Sequence, residues 1–170
     1  FKKSLYNVNE NDFYLVSGDL LMENNRCLEI LRKANLKVTP KRRAVIRFFL
    51  QNRRYFTPEE VWAALKRDFE HLGLPTIYRN LRGLEDVGIL IRIARSDQRL
   101  YYAICHLGKG REHHHFVCQK CGRVSEVEFC NFKNIAGDIE KKLNCKITSH
   151  FTQIEGMCSE CKRRKDEKRV

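Results

Sequence analysis

The chain has 170 residues, 42% of them apolar and 32% charged, so it can build a core and is not a disordered polyelectrolyte. Its formal net charge of +12 points to a polyanionic partner, because each Lys or Arg set beside a phosphate releases condensed counterions. No run approaches the roughly 18 apolar residues of a membrane span, and no apolar stretch of signal-peptide length follows Lys2 and Lys3. A cytoplasmic protein is expected, in which eight cysteines serve metals rather than disulfides.

Residues 1–18 are polar and Asn-rich and read as an extension, with Phe13, Tyr14 and Leu15 available to dock. The 3.6-residue period predicts a first helix over Asp19–Asn35, with Leu20, Cys27, Leu28, Leu31 and Ala34 near one face. Thr39-Pro40 then places a capping hydroxyl before a proline at the first helical position. Val45, Ile46, Phe49 and Leu50 form the buried stripe of that helix. Thr57-Pro58-Glu59-Glu60 is a capping box, and its helix is expected to bury Val61, Trp62, Leu65 and Phe69. Thr76 is expected to open the next helix, with Ile77, Leu81, Leu84 and Val87 inward and Gly88 as its stop. Beyond Gly88 the period changes to two. Ile89, Ile91 and Ile93 alternate with Leu90, Arg92 and Ala94, Ser96-Asp97-Gln98 turns the chain, and Arg99–Ile104 returns as a strand. Helices followed by a β-hairpin predict a winged helix-turn-helix over 19–104. From Lys37 to Arg54 there are seven Lys/Arg and no acid, a clustered footprint that favours nucleic acid over general solubility.

A hinge loop over 105–112 leads into a second region at 113–161, followed by a basic tail at 162–170. Strands are expected near His115–Val117, Val124–Phe129 and Lys146–Glu155, with a helix over Phe132–Leu143 between the last two. The fold class is therefore α+β: a winged helix followed by a small α/β domain.

Cys118-x-x-Cys121 and Cys158-x-x-Cys161 stand 36 residues apart. Each pair presents two thiolates to one side of a tetrahedron, and together they make a closed four-cysteine zinc site with no open position. Redox CxxC motifs are the alternative, but no thioredoxin-like βαβ pattern surrounds either pair. Ahead of the first pair lies Glu112-His113-His114-His115. On a strand, His113 and His115 share one face and His114 takes the other, so one run can serve two sites. Cys105, His106 and Glu126 are candidates to join His113 and His115; Glu112 and His150 are candidates to join His114. A solvated polar run is the plainer alternative.

The ordered motifs VTPKRRAV, PTIYRNLRGLEDVGI, EHHHFVCQKCG, SHF and GMCSEC, spanning roughly Leu28 to Cys161, resemble the ferric uptake regulator (Fur) family of metal-responsive repressors. The resemblance implies a homodimer on double-stranded operator DNA, with an N-terminal winged helix, a C-terminal dimerisation domain and repression when a regulatory metal closes the hinge. It implies structural Zn²⁺ on Cys118, Cys121, Cys158 and Cys161. His113, His115 and Glu126 match regulatory ligands, while Glu112, His114 and His150 match a second site found in part of the family. Tyr78 and Arg79 match the recognition helix, and Lys41, Arg42, Thr76 and Asn80 complete the candidate DNA contacts.

The departures are informative. Tyr55-Phe56 stands where many members carry a histidine, Tyr101-Tyr102 where iron- and peroxide-sensing members carry an acid, and Lys133 where the second site has one. A peroxide sensor usually has Asp at the position of Glu126. The YAICHL segment resembles the zinc-uptake branch, in which Cys105 is a ligand, although Ile91 replaces a His or Asp expected there. A thiolate softens the regulatory set, so Zn²⁺ is favoured over Fe²⁺ or Mn²⁺. No membrane and no small organic substrate are expected, and no enzyme activity. Two other readings stand beside a metal-responsive repressor. One is a zinc hydrolase with Glu126 as base; the other is a metal-independent DNA-binding protein.

Overall fold

The computed structural model describes residues 17–108, 113–128 and 130–166; the docking expected of Phe13, Tyr14 and Leu15 lies outside them. Four helices come first: α1 (Ser17–Lys33), α2 (Pro40–Gln51), α3 (Pro58–Leu65) and α4 (Leu74–Asp86). Local chemistry sets their ends. Thr39 Oγ1 accepts from the Arg42 N–H at 3.3 Å. Thr57 and Glu60 complete the capping box in both directions, at 3.2 and 2.7 Å. Helix α4 begins two residues earlier than Thr76, because Gly73 caps it and Pro75 fits its first turn. Gly88, at φ +76°, ends it: only a residue without Cβ takes this left-handed turn cheaply. The chain then drops into β1 through Ile89 N–H donating to Leu84 C=O at 2.9 Å.

The helical core contains Leu31, Ile46, Phe49, Val61, Ile77, Leu81 and Leu84, all fully buried. Cys27 and Leu28 join it from α1, whereas Ala34 is exposed and Trp62, Phe69 and Val87 are only partly covered. The wing is β1 (Leu90–Ile93) paired antiparallel with β2 (Tyr101–Ile104). Phe56 adds a bridge to Tyr102 with two backbone bonds of 2.9 Å, tying the entrance of α3 to the wing. The expected returning strand is shortened, starting at Tyr101 rather than Arg99.

The second region is a three-stranded sheet in the order β4-β3-β5, from β3 (His114–Cys118), β4 (Val124–Val127) and β5 (Gln153–Gly156), with α5 (Phe132–Leu143) between the last two in sequence. β4 lies antiparallel to β3, and β5 parallel to it. The strand expected from Lys146 is found only at Gln153–Gly156, since a parallel strand exists only where its partner runs beside it. The tail carries α6 (Ser159–Asp166), which begins between Cys158 and Cys161. No helix among the described residues is long and apolar enough to cross a membrane.

A small second cluster joins the two halves: Ile93, Tyr101 and Ala103 of the wing pack with Val117 of β3, flanked by Tyr55. Backbone bonds reinforce the seam. Tyr55 N–H donates to Gly122 C=O at 3.1 Å, and Val124 N–H to Arg53 C=O at 3.3 Å. Gly122 takes φ +75°, which favours glycine, and a Cβ there would also crowd the Tyr55 ring at 3.3 Å.

Candidate metal centres and nucleic-acid interface

Cys118 closes β3 and Cys121 lies in the turn that follows, while Cys158 leads into α6 and Cys161 sits in its first turn. Their four Sγ atoms lie within 4.8 Å of one another. Cys118 and Cys161 are buried. Burial opposes ionisation of Cys118, but N–H groups of Cys158, Cys121 and Lys120 overcome it and bring the thiol down to about 6. Cys161 is pushed up to about 12 by burial and by hydrogen bonding with the other three sulfurs. Four crowded sulfurs that resist joint ionisation fit a tetrahedral divalent cation, and zinc is the ion such a set prefers. Arg123 clamps α6 to the start of β4 through two bonds to Glu160, 2.7 and 3.0 Å long.

The second cluster joins the halves. Cys105, just beyond β2, lies 3.2 Å from Nε2 of His113 by its Sγ, and His115 completes a group within 4.8 Å. His115 Nε2 is buried and has no hydrogen-bond partner. Burial, helped by His113, pushes His115 down to about 4, so the ring is neutral with a lone pair available. An orphaned imidazole nitrogen beside a thiol and a second imidazole fits a metal ligand set. Glu126 sits opposite His115 in the β3–β4 register, but its Oε1 accepts the His106 N–H at 2.8 Å. His106 Nδ1 in turn pairs with Glu23 of α1 at 2.8 Å. The structure therefore brings Cys105, His113 and His115 together and holds Glu126 beside them in another bond. A cavity of about 500 Å³ opens next to this cluster, between the wing residues Ile91 and Arg92 and the segment His150–Thr152.

On the opposite face of β3, His114 meets His150, ring centroids 5.3 Å apart. Cys130 is absent from the residues expected here, yet its Sγ lies 3.4 Å from His150 Nε2 and the three form a ligand-distance group. The signal available in the sequence is an unassigned cysteine just past the end of the β4 pattern. His150 is braced by stacking on Phe132 at 4.0 Å. Glu112 lies outside the described residues, as does the side chain of Lys133.

The outer face of α4 carries Pro75, Tyr78, Arg79, Arg82 and Asp86, all exposed. Tyr78 is 37% exposed, and Arg79 is exposed beside it. Asn80 is a correction: it is buried, and its Nδ2 donates to Thr76 C=O at 2.8 Å, so it braces the helix from inside. Thr76 is half-buried and serves through that carbonyl. Lys41 and Arg42 are likewise half-buried and tied to His71 C=O and Lys37 C=O, at 2.8 and 2.5 Å. Arg43, Arg47 and Arg82, which were not among the candidate DNA contacts, are further exposed cations on α2 and α4.

A family model described as the ferric uptake regulator family matches residues 33–155. A peroxide-responsive repressor, PerR, of Staphylococcus aureus strain Mu50 is 28% identical over 131 residues, covering 77% of this chain and 86% of that relative. The structure of the Vibrio cholerae ferric uptake regulator is 28% identical with a TM-score of 0.53, covering 76% of this chain and 98% of that one. A zinc uptake regulator solved with zinc and DNA reaches a TM-score of 0.72 at 20% identity, covering 86% and 97%. That last likeness is one of fold.

Proposed function

The chain belongs to the ferric uptake regulator family, and from that premise we propose that it is a metal-gated transcriptional repressor acting as a homodimer on operator DNA. The observation that carries this reading is the Cys105–His113–His115 cluster. Cys105 ends the wing, and the two histidines flank the start of the sheet, so one ion there would staple the DNA-reading half to the second region. Metal binding would favour the closed arrangement by its differential affinity for open and closed states.

We assign Cys118, Cys121, Cys158 and Cys161 to structural Zn²⁺ and Cys105, His113 and His115 to the regulatory ion. Glu126 joins the regulatory set only if it exchanges the His106 amide for the metal. His114, Cys130 and His150 form a further site in the region where the resemblance placed one. The thiolate of Cys105 supports Zn²⁺ over Fe²⁺ or Mn²⁺. PerR is named for peroxide response, but a buried thiolate ligand speaks for zinc here. A hydrolytic reading has less support, because Glu126 is held by a backbone amide rather than aimed at an open coordination position.

The winged helix is assigned to 19–104, the hinge to 105–112 and the dimerisation region from 113 on. Ile135, Leu143, Phe151, Ile154 and Met157 are exposed apolar side chains of that region, Leu143 and Phe151 about two-thirds so; a homodimer would cover them. The decisive test is DNA affinity with two tightly bound zinc ions per chain, with the regulatory ion stripped, and with Fe²⁺ or Mn²⁺ in its place. Metal-independent affinity for one sequence would overturn the gating.

A further inference from the structure

We propose that Glu59 determines base specificity: with Tyr78 it forms an acceptor-only pair that reads an exocyclic amino group in the major groove. The inference rests on the operator-binding reading and names a residue which that reading does not use. Tyr78 stands on the outer face of α4, and its hydroxyl donates to Glu59 Oε1 at 2.6 Å. Glu59 lies in the first turn of α3, where the helix dipole favours a carboxylate. Its neighbours Thr57 and Glu60 are locked in the capping box, so the carboxylate is presented from a fixed point.

The direction of that hydrogen bond decides what the pair can read. An ionised carboxylate only accepts, so the phenol must donate. Each partner holds the other in this state: the bond lowers Glu59 and raises Tyr78 from their ordinary ranges. With its proton committed, Tyr78 Oη retains only lone pairs, and so does Glu59 Oε2. In the major groove, cytosine N4 and adenine N6 carry donors, while guanine O6 and N7 and thymine O4 carry acceptors. The pair therefore favours C or A at the contacted position and repels G or T.

The surroundings favour this role over a chance surface contact. A cavity of about 660 Å³ opens at the pair, walled by Gln98, Arg99 and Tyr101 of the wing and by Thr57. Arg99 is near enough to lower the Glu59 carboxyl, which limits the cost of bringing that charge toward DNA. Arg79 and Arg82 flank Tyr78 on the same helix face. A face built only to hold phosphates gains nothing from a carboxylate bonded to its exposed tyrosine.

The test is selection from duplexes randomised in each half-site, on the zinc-loaded wild type, Glu59→Ala, Glu59→Gln, Tyr78→Phe and Glu59→Ala/Tyr78→Phe. The wild type should select C or A at one position per half-site. Replacing that base by 2-pyrimidinone or purine, which lack the amine, should cost about tenfold in affinity. Glu59→Ala should lose both the preference and the analogue effect. Glu59→Gln, which brings its own N–H donors, should admit G or T. The double variant should fall within about twofold of Glu59→Ala, since the pair acts as one unit. A Glu59→Ala variant that binds every duplex more tightly with preferences unchanged would reduce Glu59 to bulk charge and overturn the assignment. A zinc-loaded wild type that selects no sequence would overturn operator binding itself, and this assignment with it.

Discussion

Replacing Cys118 by serine should unfold the second region while leaving the winged helix folded. The reason lies in how little apolar core that region owns. Among its described residues only Val117, Cys118 and Cys161 are buried hydrophobics, with His114 and His115 the buried polar groups. Full burial of one valine supplies about 1.5–3 kcal/mol, and the larger apolar side chains, Ile135, Leu143 and Phe151, face outward in the single chain. A structural zinc in a small metallo-domain supplies on the order of 10 kcal/mol, several times what Val117 gives. The winged helix needs no such help, since Phe49, Ile46, Ile77, Leu81 and Leu84 are fully buried there. In Cys118→Ser the structural zinc should be lost, and with β3 unfolded the ion assigned to Cys105, His113 and His115 should leave as well. Amide protection should vanish across β3 and β5 yet persist in α2 and α4, and sedimentation should report a monomer. Hydrogen exchange resolves the two halves in one experiment. If β3 stays protected and the dimer survives with an unchanged thermal transition, the four cysteines do not hold the domain together.

Four further outcomes follow from single side chains. Cys105→Ala should keep the structural zinc and the dimer but lose metal-stimulated DNA binding, a change of about 5- to 150-fold in affinity by titration; an unchanged zinc response would make Cys105 a core residue only. Tyr102 is raised above its ordinary 10, first by burial and then by the nearby Glu85 carboxylate. Its folded value lies above the unfolded one, so its contribution is complete below pH 10 and is lost as the pH climbs further; calorimetry should find the alkaline fall of the winged-helix transition flattened in Tyr102→Phe. Asn80→Ala should cost about 1 kcal/mol of winged-helix stability through the bond to Thr76 with base preference unchanged. Arg82→Ala should instead weaken binding on all duplexes and lower the salt slope by about 1.

What was legible in the sequence was what is fixed locally. The Thr39-Pro40 cap and the Thr57–Glu60 box gave α2 and α3, and the period of Phe132–Leu143 gave α5 with both ends. The cysteine spacing likewise reported a site whose geometry depends on short turns. What was not legible depended on distant partners. β5 is four residues long because β3 pairs with it only there, and nothing between Lys146 and Thr152 announces that limit. Asn80 reads as a surface residue in a basic helix, but a bond to the carbonyl four residues back turns it inward. Glu126 pairs with His115 in register, yet a backbone amide from outside the sheet occupies its carboxylate. Cys130 joins His114 and His150 only because α5 brings residue 150 back across the sheet.

Two of the substitutions that set this chain apart from the family pattern share one physical account. Tyr55 and Tyr101 stand where the resemblance expected a histidine and an acid, and their rings meet edge to face at 5.0 Å. Arg95 lies 5.1 Å over Tyr55 and donates to its hydroxyl at 2.7 Å. Gln153 of β5 exchanges two hydrogen bonds with the Ala94 backbone, of 3.0 and 2.8 Å. With the Tyr55–Gly122 bond, these contacts hold the wing against the zinc turn and the sheet through protein groups alone. An ion bound with fewer ligands then has less to do, because a binding-competent state that is already well populated reduces apparent affinity by a smaller factor. Three ligands from Cys105, His113 and His115 can suffice for gating where a hinge without this aromatic joint would need more. In the gating proposed for Cys105, His113 and His115, some closed dimer should therefore exist before the regulatory ion arrives.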